Sequence, residues 1–401
     1  MRNEERSSEQ VVYHLMSTGE CYAVSVVLLM CLTEKTTFLA IDLVKRIFVI
    51  LGVKLEFTGS ARVHWTEQHS TGSGKTRRTE TRHYSATERY FNFEFLLFGP
   101  GTGSTLLQPG HHTFPFTYTL PLNLPSSYES GIGNVRYQLK AKIDKPWKFD
   151  HKTKRMFTVI SMLDLNQQPS AAAAVQGQNS KNLCCLCCKS GPISAVFHID
   201  RAGYVPGDTI YLNAEISNNS SRRMCASRVK LIMVTSYHAT TKSRTVFNCV
   251  ASLSRGEIPP HGSDVWSGDP MTVPAIPPSY LVGCSIIDIR YILQLEVDPS
   301  GPAFDLEVPL EVIIGTIPLR QVVQRYYPQW QPSTQPLQPS APGMPSPAGV
   351  IPPDMPPPSY AECVFGKVAV GDDEDDNEHM GGDKDFAPSY AYYDWSKSAF
   401  K

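Results

Sequence analysis

Two-residue alternation of apolar and polar side chains is the feature that most restricts the fold of this chain. It is cleanest in Gly133-Asn134-Val135-Arg136-Tyr137-Gln138-Leu139-Lys140-Ala141-Lys142-Ile143, where Val135, Tyr137, Leu139, Ala141 and Ile143 share one face. Strand side chains alternate between faces, whereas a helix groups apolar residues three and four apart. The stretch therefore fits a half-buried strand. Val53 to Phe57, Ala61 to Trp65 and Thr113 to Pro121 follow the same rule, Tyr90 to Phe98 is an aromatic-rich strand, and Met156 to Ile160 is another short one. Leu107-Gln108-Pro109-Gly110 supplies a turn, and the polar, glycine-containing stretch 69–83 reads as a mobile hairpin loop. Its Lys75, Arg77, Arg78 and Arg82 form a local basic patch, read first as a solvated loop and second as a contact for acidic lipid or a phosphorylated partner. Short strands between Gly/Pro turns, with little helical periodicity, predict an antiparallel β-sandwich.

A second series of the same kind follows. Ile193 to Ile199, Thr209 to Ser217, Val229 to His238, Ser243 to Leu253, Ser285 to Val297 and Leu306 to Ile314 read as strands, with turns at 203–208 and 218–221. Between the two series, residues 164–182 are rich in Gln, Asn, Ser and Ala and read as a linker. Beyond Arg320, Pro, Gln and Ser dominate, and Asp372 to Asp376 is an acidic run, a composition that does not bury a core. The fold class is all-β: two tandem antiparallel β-sandwiches plus a disordered, Pro-rich C-terminal tail. The expected divisions are an atypical apolar segment over 1–50, a first sandwich over 51–163, a linker with clustered cysteines over 164–189, a second sandwich over 190–319, and the tail over 320–401.

Residues 1–50 hold two apolar runs. Cys21 to Leu32 ends at Glu34 and Lys35, and Phe38 to Leu51 contains Asp42, Lys45 and Arg46. Neither reaches the roughly 20 apolar residues that span a bilayer as a helix. They read as buried helices or strands, with a membrane anchor formed by 21–51 as the alternative.

The net charge of −1, with 41% hydrophobic residues and no domain-scale basic surface, argues against nucleic acid as the partner. The chain has no Walker loop, no G-x-S-x-G elbow and no HExxH, so it reads as non-enzymatic, without cofactor or catalytic residues. No metal site is expected: His111-His112 has no third ligand nearby in sequence, and the acidic run lacks EF-hand spacing. Of the ten cysteines, only Cys184, Cys185, Cys187 and Cys188 cluster. Their two C-x-x-C spacings have no second pair to complete a zinc tetrahedron, which leaves apolar thiols at a domain junction, with palmitoylation as a second reading. The scattered remainder suits a reducing compartment.

The tail carries Met355-Pro356-Pro357-Pro358-Ser359-Tyr360. Consecutive prolines favour polyproline II, so a docking peptide loses little entropy, and the tyrosine ring can enter an aromatic-lined groove beside them. This is the WW-domain mode of recognition, with Pro357, Pro358 and Tyr360 as ligand residues. Ala387-Pro388-Ser389-Tyr390 lacks the first proline, so Pro388 and Tyr390 are expected to form a weaker second ligand. An identical Pro277-Pro278-Ser279-Tyr280 lies between strands and reads as architecture.

Several motifs fall in an order that resembles the α-arrestins, the arrestin domain-containing proteins. They are Gly59-Ser60-Ala61-Arg62-Val63-His64-Trp65-Thr66-Glu67, Gly133-Asn134-Val135-Arg136-Tyr137, Ser190-Gly191-Pro192-Ile193, Gly203-Tyr204-Val205-Pro206-Gly207-Asp208, Ile276-Pro277-Pro278-Ser279 leading to Cys284-Ser285-Ile286-Ile287, and Pro309 to Leu319. The resemblance covers about residues 51–320 and the tail motif. It implies two arrestin-type sandwiches and cytoplasmic residence with endosomal and plasma-membrane association. It also implies a tail that recruits WW-domain HECT E3 ubiquitin ligases, so that transmembrane cargo such as receptors or transporters is ubiquitinated, endocytosed and sorted. Residues 1–50 do not resemble the family's opening strands. The contrasting reading, from a different class, is a membrane-anchored structural β-sandwich protein.

Overall fold

The computed structural model describes residues 24–30, 37–43, 47–72, 77–147, 149–185, 188–327, 358–371 and 380–397. The long hairpin Gly52–Thr71 and Arg78–Phe98 dominates the first domain, flanked by Gly133–Asp144 and His151–Phe157 in a continuous antiparallel sheet. Each inward position of Gly133–Asp144 is buried and each outward one half-buried, as the alternation requires. Gly59 sits at a register shift in this hairpin, where a Cβ would run into the Phe91 ring. The described parts of the apolar runs near the start of the chain are strands: Val24–Met30 pairs with Thr37–Leu43, which pairs with Gly110–Phe116, and Phe48–Ile50 pairs with Thr105–Leu107. Among the described residues, no helix is long and apolar enough to cross a membrane.

The second domain stacks a four-stranded sheet (Val175–Cys185, Cys188–Ile199, Thr209–Asn218, Ser263–Thr272) on a second one. That sheet runs Gly203–Tyr204, Leu306–Ile314, Ile287–Pro299, Met224–His238 and Ser243–Arg255. Trp266, Phe197, Tyr291 and the branched residues of these strands fill the space between.

Three expectations change. Most of 69–83 is strand, not loop, because cross-strand contacts such as Trp65 stacked on Tyr84 at 5.5 Å stabilise pairing despite the polar sequence. Polar residues 175–182 form an edge strand against Cys188–Ile199, so the linker is shorter than its composition suggested. The expectation of a disordered tail beyond 320 does not hold for its described residues. Arg320–Tyr326 is a helix, and residues 358–371 and 380–397 pack on both domains through aromatic side chains that the bulk composition conceals.

Candidate functional site

The two domains meet through polar contacts around tyrosines. Tyr128 and Tyr237 hydroxyls lie 2.8 Å apart, and Tyr237 donates to Ser130 Oγ at 2.9 Å. At the rim, Lys242 Nζ reaches Glu67 at 2.6 Å, the Ser285 backbone N–H donates to Glu88 at 3.0 Å, and Thr240 Oγ1 donates to the Ser85 carbonyl at 3.1 Å. The Lys242 contact is the largest effect on Glu67, holding its carboxyl below the usual value. Burial pushes the Tyr128 hydroxyl above its ordinary pKa, so it remains a hydrogen-bond donor throughout the physiological range.

The tail lies across this junction. Ser359–Glu362 pairs antiparallel with Ser389–Tyr392, placing Tyr360 opposite Ala391, and Ser359 Oγ donates to the Tyr392 carbonyl at 2.9 Å. On the first domain, Ser389 N–H donates to Thr158 Oγ1 at 3.1 Å and Tyr390 hydroxyl to the Ser127 carbonyl at 2.9 Å. On the second, Val364 N–H donates to Ala275 O at 3.0 Å and Tyr393 N–H to Pro206 O at 2.9 Å, while Tyr393 hydroxyl donates to Thr316 O at 2.9 Å. Trp395 stacks between Tyr326, 4.8 Å away, and Tyr393, 5.5 Å away. Its indole N–H adjoins the buried Arg201–Asp208 pair, whose guanidinium and carboxylate lie 3.3 Å apart. Neither Trp395 Nε1 nor Asp208 Oδ1 has a hydrogen-bond partner, and the effect of burial on the carboxyl is opposed chiefly by the charge of Arg201. Burial is the larger effect, and the Asp208 carboxyl sits above its ordinary pKa.

The anticipated ligand residues therefore stand in different places. Tyr360 is 63% exposed and Pro358 is half-buried beside it, whereas Pro357 lies outside the described residues. Tyr390 is only 2% exposed and Pro388 is buried, so this pair faces the junction rather than solvent. Burial raises the Tyr390 hydroxyl well above its usual pKa, which is consistent with a fixed donor to Ser127. In the internal copy, Pro277 and Pro278 are buried, Pro277 O accepts from Tyr291 hydroxyl at 2.7 Å, and Ser279 Oγ accepts from Ile314 N–H at 2.9 Å. Tyr280 adopts φ 74°, a left-handed conformation held by this packed turn.

Cys184, Cys185 and Cys188 lie at the tip of the hairpin formed by Val175–Cys185 and Cys188–Ile199, with Cys185 paired to Cys188, while Cys187 lies outside the described residues. Among the described residues, no three His, Cys, Asp or Glu side chains gather as a metal site. His111 is exposed and His112 half-buried on a strand, where His112 meets the Gln108 carbonyl at 2.8 Å. The docking of Tyr390, Tyr393 and Trp395 against the two domains was not foreseen from the sequence. The available signal was four large rings, Tyr390, Tyr392, Tyr393 and Trp395, within six positions of a segment poor in aliphatic residues.

Residues 43–166 match the family model "Arrestin (or S-antigen), N-terminal domain", and residues 189–319 match "Arrestin (or S-antigen), C-terminal domain". Arrestin domain-containing protein 17 of Caenorhabditis elegans is 31% identical over 284 residues, covering 66% of this chain and 62% of that protein. Arrestin domain-containing protein 4 of Homo sapiens is 32% identical over 303 residues, 72% of this chain and 71% of that protein. Arrestin domain-containing protein 1 of Rattus norvegicus is 31% identical over 287 residues, 69% and 59% of the two chains. The chain thus spans less than two thirds of the length of some of these relatives. Two matched domains in order, on two antiparallel sandwiches, make this chain a member of the arrestin domain-containing family, the α-arrestins.

Proposed function

We propose that this protein is a non-enzymatic adaptor that brings transmembrane cargo to a WW-domain HECT ubiquitin ligase. The two sandwiches engage the cargo, and Pro357, Pro358 and Tyr360 hold the ligase, which supplies the catalysis. Proximity raises the effective concentration of cargo at the ligase. The observation that carries this reading is the exposed Tyr360 ring immediately after the proline run. The adaptor works in the cytoplasm, at the plasma membrane and on endosomes, and palmitoylation of Cys184, Cys185, Cys187 or Cys188 at one hairpin tip would favour such residence.

Docking of the tail sets a condition on this function. A Pro-Pro-x-Tyr peptide binds WW domains as polyproline II, so Tyr360 must leave its pairing with Ala391 when the ligase engages. Pro388 and Tyr390 become available as a second, weaker ligand only after Tyr390 has left the junction. Capture of a WW-domain ligase by the full-length protein and by Tyr360→Ala tests the assignment. Loss of capture is expected, and undiminished capture by the variant rules it out.

A further inference from the structure

The connection between Gly133–Asp144 and His151–Phe157 exposes Trp147 completely, at 101%, and Phe149 at 79%. Two large aromatic side chains one residue apart at a single strand connection form a projecting tip, not a groove. Trp147 also adopts φ 60°, a left-handed conformation that a bulky side chain takes at a cost. The turn beneath is fixed: Lys145 N–H donates to Asp150 Oδ1 at 3.1 Å, and Lys142 Nζ lies 3.0 Å from Asp150 and 3.6 Å from Asp144. Lys54 adds a contact to Asp144 at 3.3 Å, so both carboxylates of the turn face cations.

The surrounding charge is strongly positive. Residues 140–155 contain seven Lys or Arg against two Asp, in a chain whose net charge is −1. Lys142 stands directly opposite Lys152 across the strand pair, and Lys140 opposite Lys154. Like charges facing each other across a sheet are unfavourable unless an anion offsets them. Lys154 donates inward to the Val370 carbonyl at 2.9 Å and Lys142 is held by Asp144 and Asp150, so the excess of cations over the two carboxylates leaves the connection net positive.

We propose that this tip is a membrane contact: Trp147 and Phe149 enter the interfacial zone of a bilayer, and the flanking lysines meet acidic lipid headgroups. Tryptophan favours that zone because its ring is apolar and its N–H remains near water. Lysines beside a membrane surface are attracted by its negative potential. The adaptor reading makes a bilayer the relevant surface, but the contact itself needs neither cargo nor ligase.

Sedimentation of the full-length protein with phosphatidylcholine vesicles, with and without phosphatidylserine, tests the contact. Binding to the phosphatidylserine vesicles, weakened by added salt, is expected. The Trp147→Ala, Phe149→Ala double variant should lose about tenfold or more of that binding, because two large apolar side chains leave the interface. Trp147→Phe should still sediment but lose the fluorescence quenching that brominated lipid produces in the wild type. Equal binding by the double variant, equal binding to neutral vesicles, or no binding by the wild type overturns the proposal. Thermal unfolding of each variant confirms that the fold is retained. If Tyr360→Ala still captures the ligase while vesicle binding follows Trp147, the ligase assignment falls and the membrane contact stands.

Discussion

The Tyr390 hydroxyl donates to the Ser127 carbonyl at 2.9 Å, joining a tail residue to the first domain across 263 positions of sequence. Because Ser389–Tyr392 also pairs with the strand containing Tyr360, release of Tyr390 is coupled to access to the segment proposed as a ligand.

Tyr390→Ala should therefore weaken tail docking by about 3–5 kcal/mol, the usual cost of removing a large buried ring. A ligand whose competent state is only partly populated binds below its intrinsic affinity. Titration of an isolated WW domain into the full-length protein should show tighter binding to the Tyr390→Ala variant. Identical affinities would show that docking does not restrict Tyr360.

The tyrosine pair at the domain junction gives a second expectation. Tyr237→Phe removes one partner each from the Tyr128 hydroxyl and Ser130 Oγ, which should cost about 1–3 kcal/mol in denaturant unfolding. Tyr128→Phe added to it should cost less than the sum of the single changes, since each loses the same hydrogen bond. Strict additivity would separate the two residues energetically.

Asp208 predicts a pH dependence. Its folded-state pKa is raised, chiefly by burial, so the native state binds a proton more readily than the unfolded chain. The Asp208 contribution should favour folding at low pH and decline as pH rises from the unfolded value of about 3.9 through the raised folded one, then level off. Comparing unfolding profiles of wild type and Asp208→Asn isolates this contribution. Arg201→Met should destabilise the second domain by about 3 kcal/mol, because a buried carboxylate loses its guanidinium.

Trp147→Gly separates stability from surface function. Glycine takes φ 60° without Cβ strain, so the variant should unfold at about 1 kcal/mol higher free energy. A destabilised variant would indicate that the exposed ring supports the fold.

The sandwiches were legible because Val135, Tyr137, Leu139 and their counterparts alternate without interruption, and that pattern alone decides which face is buried. The Gly52–Thr71 hairpin was only half legible. Its distal part, near His69 and Arg82, is polar on both faces and gives no period, yet ladder pairing with the inner half carries it forward. The edge strand 175–182 was hidden for the same reason. At the candidate site, the exposed Tyr360 followed from the proline run, but the burial of Tyr390 did not. Its hydroxyl meets Ser127 and the neighbouring Ser389 meets Thr158, both from distant parts of the chain, and no local pattern reports such a meeting.

The strand pairing of Ser359–Glu362 with Ser389–Tyr392 also bears on the order of events during synthesis. Ser127 leaves the ribosome long before Tyr390 is made. Throughout that interval the junction lacks its tyrosine, while both sandwiches can already form from closer partners in sequence. A nascent chain thus passes through a period in which its inter-domain surface is uncovered, and chaperone occupancy should be highest then.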